Sequence, residues 1–535
     1  MARKTKRHLV RSEANGNEPP VQGIKCSDLR DVSASFENKL HNPSVQRVTE
    51  IWSRGQMMRI KTLARVTKSI KRDKFKEENQ RCNPKEKLVT EMKFEIMSRK
   101  TIKPSIPTPH QHRTFSLSLL DQIFPPIYSS TVFFYSSNPN EKGNSITSQV
   151  LQQSSRLQNS LSKTLVHFYP MAGRLKDTAS VECNDQGAYF VEAQVSCSLV
   201  DFLIQPKIEL LSHFSPIIDP YTTQLASDSM LLIQLTAFSC GGIAIAVCPS
   251  HKIMDGSSLF SFLQSWTVTS RGYGEVVIPK FIGSSLLPPR DLPIMPNPKV
   301  NFQAKKCITR RFVFDASKIF SLKAKTAGAI GQRSPTNVEI VLAHILKCSM
   351  AASKSISSRL GPLVLSQAVD LRKRMVPPLP ENSIGNLIWQ FLVFSKDSEL
   401  EIHDLVAKMR EGLIEFCNEK ANKFKGDEGF QMVCESLKER GELMKRMDIT
   451  IYRCTSLCKL PLYEMDFGWG KPMWITNNSS NYFEKLIVLM DTKQGDGIEA
   501  WVTLEEREME IFQRSKGLLE FASFNPSAFV KQSRI

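Results

Sequence analysis

Residues 243–266 read IAIAVCPSHKIMDGSSLFSFLQSW, and the change of texture within them sets the fold class. Ile243–Cys248 is an apolar run of strand length. From Gly256 to Trp266 the apolar residues Leu259, Phe260, Phe262, Leu263 and Trp266 recur at helical spacing. Between the two stands His251-Lys-Ile-Met-Asp255-Gly256. A strand that hands over to a helix holds the joining residues at the rim of a core, where a substrate can reach them. Upstream, Met230–Phe238 is a second apolar run, separated from Gly242–Cys248 by Ser239-Cys240-Gly241, which predicts paired strands.

Working outward, Met92–Lys103 alternates like a strand until Pro104, Pro107 and Pro109 interrupt it. Thr131–Tyr135 is another strand. Ile146–Phe168 carries Val150, Leu151, Leu157, Leu161 and Leu165 at helical spacing and ends near Pro170. Pro279–Pro298 holds six prolines and reads as an extended crossover connection, the best domain boundary. Beyond it the pattern predicts a strand over Arg311–Phe314, helices over Ala316–Ala327 and Val338–Ser349, and a strand over Leu363–Leu371. Leu486–Asp491 and Gly497–Leu504 flank Gly495-Asp496-Gly497 as a hairpin. Strands and helices mix without strict βαβ alternation, which favours α/β sandwich domains over a doubly wound sheet. A chain of 535 residues is also long for one core. The expected division is an extension over 1–91, an N-terminal domain over 92–278, the connection over 279–298 and a C-terminal domain over 299–535.

The net charge of +18 invites a nucleic-acid reading, but its distribution argues otherwise. Residues 1–91 hold 21 Lys and Arg against 11 Asp and Glu, more than half of the excess on a sixth of the chain. Residues 1–44 are polar with few apolar anchors and are expected to be disordered. Val45 to Lys76 carries a basic amphipathic pattern that could meet an anionic surface, or could be a solvated leader. No apolar run approaches the roughly 20 residues of a membrane helix, and the basic start has no apolar stretch behind it. The twelve cysteines are scattered without C-x-x-C pairs, as expected for reduced thiols in a cytoplasmic protein.

Among nine histidines, His110 and His112 lack a third ligand, so no metal site is expected. His251 stands apart because of its strand-to-helix setting. Asp255, four residues on, could orient the imidazole as in a triad, or could pair elsewhere and fix the loop. No G-x-S-x-G elbow, P-loop or dinucleotide fingerprint occurs. Asp466-Phe467-Gly468 lacks the other kinase motifs, so it is not a magnesium loop.

Taken together, seven segments resemble the BAHD acyltransferases. The paired signatures are His251-Lys-Ile-Met-Asp255-Gly256 and Asp466-Phe467-Gly468-Trp469-Gly470-Lys471-Pro472. Supporting them are Leu117-Ser-Leu-Leu-Asp121-Gln122, Tyr169-Pro-Met-Ala-Gly173-Arg174, Leu371-Arg372-Lys-Arg374 with Pro377-Pro-Leu-Pro380, Gly385-Asn386, and Gly497-Ile-Glu-Ala-Trp501. The resemblance covers Met92 to the C-terminus. It implies two chloramphenicol-acetyltransferase-like sandwich domains joined by the crossover, with a tunnel between them that meets at His251. It also implies that Asp255 pairs with Arg372 as a brace, and that Asp466, Gly468, Trp469 and Gly470 are structural. The co-substrate implied is an acyl-CoA, with no bound cofactor, and the partner a small-molecule alcohol; a monomer is expected.

A thioester is already activated, so the demand falls on making a neutral hydroxyl nucleophilic. An imidazole with an ordinary pKa of about 6.5 suits that task. Family members commonly carry a Trp after Thr-Ser shortly before the second signature, and the Trp and Thr are the proposed oxyanion donors. This chain reads Thr455-Ser456-Leu457, which keeps Thr455 and loses the indole. One missing donor of that kind could cost about 10²–10³ in rate if nothing replaces it, or the change could reshape the acceptor pocket with little harm. A weakened or repurposed member of the fold is therefore the rival to an active enzyme. Lys323 is a candidate for the nucleotide phosphates of CoA. The stretch Arg99–Pro109 followed by Leu117–Gln122 looks most like the vinorine synthase branch, which commonly uses acetyl-CoA to acylate alkaloid or terpenoid hydroxyls.

Overall fold

The strand-then-helix order of the opening segment carries through into three dimensions. The computed structural model describes residues 92–137, 145–216, 229–292, 306–327, 333–357, 361–396, 400–446, 448–477 and 483–529. All of them belong to one unit, Met92–Ile535. The leader 1–91, with its expected disorder and amphipathic helix, lies outside the described residues, as do 293–298 of the proline-rich connection.

The first strands in chain order are β1 (Phe94–Ile102), β2 (Thr114–Ser116), β3 (Thr131–Tyr135) and β4 (Arg174–Leu175). β5 (Ser180–Glu182), β6 (Ala188–Val195), β7 (Leu231–Phe238) and β8 (Ile243–Pro249) follow. The second half adds β9 (Cys307–Phe314), β10 (Leu363–Asp370), β11 (Ile388–Ser395) and β12 (Thr450–Ser456). It closes with β13 (Trp474–Asn477), β14 (Leu486–Asp491), β15 (Ile498–Glu505) and β16 (Ser523–Phe524). They form a six-stranded sheet, β1-β6-β7-β8-β3-β13, a seven-stranded sheet, β11-β10-β12-β14-β15-β9-β16, and a small sheet β2-β5-β4.

β7 and β8 read as continuous apolar runs because both faces of their sheet are covered, and β8 is buried throughout. The helices Ile146–His167 and Gly256–Arg271 pack on it through Leu157, Leu161, Leu165, Phe262, Leu263 and Trp266. Trp266 Nε1 donates to Ser160 Oγ at 3.0 Å, satisfying a buried indole between the two helices. The second helix runs past the expected Trp266 to Arg271 and stops where Gly272 takes φ 80°, a left-handed cap that suits glycine.

Two elements depart from the sequence reading. β9 begins at Cys307, not Arg311, because Thr309 and Arg311 face inward despite their polarity; Arg311 is neutralised by Glu499 at 2.6 Å. The domain boundary is also crossed. β13 comes from the C-terminal half yet pairs antiparallel with β3 and completes the first sheet. Its Trp474 ring stacks on Phe134 at 5.3 Å, so burial of one large aromatic, not a local hairpin, fixes that pairing.

The cores follow the two large sheets. In the second sheet Cys454, Ile487, Leu489, Ala500 and Val502 face the C-terminal core, while Val488, Met490 and Trp501 turn the other way and join the core of the first. The seam between the halves is thus lined by one face of the second sheet. Among the described residues no helix is long and apolar enough to cross a membrane.

Candidate active site

His251 follows the last residues of β8 and is half-buried, and burial desolvates its ring. Its backbone N–H donates to Ile127 O at 2.7 Å. The ring of Phe124 stacks on the imidazole, centroids 4.6 Å apart and planes within 3°. Nδ1 lies 3.0 Å from Asn386 Oδ1, and Asn386 Nδ2 donates to the His251 carbonyl at 2.7 Å. Burial pushes the imidazole below its ordinary value, while a backbone contact, Asp255, Asn386 and Asp121 pull it back up.

The Phe124 segment is held from within the same motif. Lys252, next to His251, is buried and donates its ammonium to Gln122 O at 2.6 Å and Phe124 O at 3.0 Å. One turn earlier, Asp121 is 2% exposed and accepts from Asn386 N at 2.7 Å and Nδ2 at 2.9 Å.

Asp255 caps the helix that starts at Gly256, accepting from Ser258 N at 2.8 Å. Its carboxylate also meets Arg372 in a two-pronged pair, Nη1 to Oδ2 at 2.8 Å and Nη2 to Oδ1 at 3.1 Å. Leu387 N adds a third donor at 3.0 Å. Arg372 is 1% exposed, and its guanidinium is completed by Asp370, Ser383 O and Ser258 Oγ. Burial opposes that charge, but Asp255 and Asp370 outweigh it and raise the guanidinium's pKa. Among the described residues, the hydrogen bonds of the Asp255 carboxylate go to the helix start, to Arg372 and to Leu387, and none goes to the imidazole.

The Thr455-Ser456-Leu457 segment ends β12 and abuts this loop. A Cβ on Gly256 would stand 2.8 Å from Leu457 Cδ2, so the leucine packs on the bare glycine at the helix start. Thr455 alternates with Cys454 and faces the seam, and its hydroxyl makes no hydrogen bond among the described residues.

The Asp466–Gly470 loop lies at the other end of the same helix. Asp466 Oδ1 accepts from Gly468 N and Gly470 N at 2.7 and 2.9 Å, with both glycines at positive φ, 110° and 108°. Arg271 donates to Asp466 O at 2.7 Å and Ser270 to Phe467 O at 2.7 Å, while Trp469 is 9% exposed beside Phe467. Lys323, on the helix Ala316–Thr326, donates to Asn337 Oδ1 at 2.7 Å. No group of His, Cys, Asp and Glu that could hold a metal occurs among the described residues.

A family model described as the Transferase family matches residues 92–519. The chain belongs to this family, the BAHD acyltransferases. It is 41% identical over 432 residues to akuammiline synthase 1 of Alstonia scholaris, covering 80% of this chain and 97% of that one. It is 35% identical to a limonoid 7-O-acetyltransferase of Citrus sinensis, over 81% of this chain and 99% of that protein. The crystal structure of vinorine synthase matches with a TM-score of 0.70 at 31% identity, over 82% of this chain and all of that one. This BAHD acyltransferase therefore has the two-sandwich architecture expected for it.

Of the residues singled out from sequence, the fold brings Asp255, Gly256, Arg372 and Leu457 together around the loop that carries His251. Thr455 stands one strand step from Leu457, and Asp466, Gly468, Trp469 and Gly470 brace the far end of the helix. Lys323 is tied to the start of the helix Asn337–Ile356 by Asn337. Sequence reasoning gave no role to Asn386, Phe124 or Lys252. The only signals for them were the Gly385-Asn386 and Leu117–Gln122 motifs and the place of Lys252 beside His251.

Proposed function

We propose that this BAHD acyltransferase moves an acetyl group from acetyl-CoA to a hydroxyl of an alkaloid or terpenoid, with Nε2 of His251 as general base. The observation that carries this reading is the 3.0 Å contact between Nδ1 and Asn386, which leaves Nε2 as the nitrogen available to a substrate. In the reaction the hydroxyl oxygen attacks the thioester carbonyl while its proton passes to Nε2. The tetrahedral intermediate collapses with cleavage of the C–S bond, and the same proton returns to the CoA thiolate. Such base help contributes about 10²–10⁴-fold. The lowered pKa of the buried imidazole keeps it neutral, and so able to accept a proton, at physiological pH. Thr455 is the candidate oxyanion donor, since its hydroxyl is uncommitted among the described residues. Lys323 is the candidate contact for CoA phosphates, with one of its three ammonium donors given to Asn337.

The substrate class comes from relatives: the Citrus protein is named for acetylating a limonoid hydroxyl. A second reading, a weakened or inactive member of the fold, draws on Leu457, which packs on Gly256 and offers no donor. The test is to incubate the full chain with acetyl-CoA, malonyl-CoA and benzoyl-CoA across a panel of alkaloid and terpenoid alcohols, following esters by mass spectrometry. Ester formation that favours acetyl-CoA supports the proposal. CoA binding without ester from any pair supports the inactive scaffold.

A further inference from the structure

We propose that Asp121 is a positioning residue for the base: acting through Asn386, it fixes the imidazole tautomer that leaves Nε2 of His251 free to accept the hydroxyl proton. The inference rests on His251 being the general base and names what holds that base ready.

An amide has two unlike ends, and here only one orientation is possible. Asn386 Nδ2 faces two acceptors, Asp121 Oδ1 at 2.9 Å and the His251 carbonyl at 2.7 Å, so both its hydrogens are used. Turning the amide over would set three acceptors against one another with no proton among them, in a buried site where unpaired polar groups are strongly disfavoured. Oδ1 must therefore face Nδ1 of His251, at 3.0 Å. An acceptor at that position requires a proton on Nδ1, and the neutral ring then carries its lone pair on Nε2.

The force of this depends on Asp121 being charged. Its Oδ1 receives Asn386 N and Nδ2, and its Oδ2 receives Ser118 N at 2.9 Å and Ser118 Oγ at 2.6 Å. The Ser118 hydroxyl already accepts from Asp121 N at 3.1 Å. Four donors converge on two oxygens, which favours the carboxylate, since three of the four (Asn386 N, Asn386 Nδ2 and Ser118 N) can only donate. Burial outweighs the hydrogen bonds from Ser118 and Asn386 and leaves this carboxyl's pKa above its ordinary value. Gly385 takes φ 132°, a conformation open to glycine, which turns the Asn386 N–H towards Asp121. Phe124, three residues beyond Asp121, then stacks on the ring so that it cannot swing away from Asn386.

Four charged groups surround this imidazole. Asp255 and Asp121 raise its pKa, Arg372 is paired with Asp255, and the Lys252 ammonium spans Gln122 O and Phe124 O near Asp121. Removing the Asp121 charge should therefore lower the His251 pKa and move the acid limb of kcat/KM to lower pH.

The experiment uses the full chain labelled with ¹⁵N-histidine, as wild type, His251→Ala and Asp121→Asn, with His251→Ala assigning the resonances. The expected wild-type spectrum above the titration shows Nδ1 protonated and Nε2 not. In Asp121→Asn the ring should average between tautomers, with kcat lower by about tenfold or more, inside the about 10²–10⁴-fold that a general base contributes. KM for acetyl-CoA should hold and the acid limb should move down. A wild-type ring protonated on Nε2 overturns the proposal outright, even if Asp121→Asn fails to fold. So does an Asp121→Asn protein with wild-type tautomer and kcat. Full activity in His251→Ala would instead overturn the general-base reading beneath it, whatever the tautomer.

Discussion

Two buried carboxylates flank the imidazole, and they differ in what they hold. Asp255 is four residues from His251 in sequence, yet its oxygens serve the start of a helix, Leu387 N and the guanidinium of Arg372. Asp121 is 130 residues away in sequence and reaches the ring through one amide. Nearness in sequence therefore points to the carboxylate that fixes the loop, and the one aligned with the ring arrives from another segment. A charge bound by a cation on one side of the loop stabilises the fold, whereas a charge bound only by N–H and O–H donors can fix the direction of a hydrogen-bond chain.

The largest expected effect breaks the Asp255 arm. Arg372→Ala leaves a buried carboxylate without its cation, which should cost about 3–5 kcal/mol in thermal or urea unfolding. A loss under about 1 kcal/mol would show that the pair is not the brace described. Where enough folded protein remains, the ¹⁵N pattern of His251 should keep its tautomer, since the Asp121–Asn386 chain is intact.

Next comes a control imidazole without such a chain. His344 is also buried, but among the described residues its Nδ1 has no hydrogen-bond partner, and burial is the chief cause that lowers its pKa to about 4. The unfolded ring titrates near 6.5, so the unfolded state binds the extra proton first. Stability should be full above about pH 6.5 and fall as pH drops towards 4, by up to about 3 kcal/mol. His344→Gln should flatten that part of the stability curve measured by unfolding at stepped pH; an unchanged slope would mean that this ring is not the source.

The smallest effect concerns the contact between Leu457 and the loop. A methyl added by Gly256→Ala would stand 2.8 Å from Leu457 Cδ2 and should cost about 1–3 kcal/mol by overpacking. Adding Leu457→Ala should recover much of that loss. Additive losses in the double variant would show that the two residues do not share the space described.

Much of the fold was legible because apolar runs of fixed period bury one way. Ile243–Cys248, Met230–Phe238 and Ile146–Phe168 became the strands and helix that carry the first sheet. What escaped had polar or solitary chemistry. Arg311 sits in a strand only because Glu499 neutralises it, and Trp474–Asn477 is too short to signal without the Phe134 ring it covers. In the site, His251 was visible from its strand-to-helix setting, and the residues alone left two roles open for Asp255. The chain from Asp121 through Asn386 was invisible because each link spans 130 or more positions and depends on which way one amide points.

The central claim, acyl transfer with His251 as base, is tested most directly by acceptor-dependent thiol release from acetyl-CoA between pH 5 and 8, wild type beside His251→Ala. The account predicts release in the wild type that rises with pH through an acid limb set by one proton, and a fall of about 10²–10⁴-fold with loss of that limb in the variant. Equal rates and equal limbs in the two proteins would contradict it.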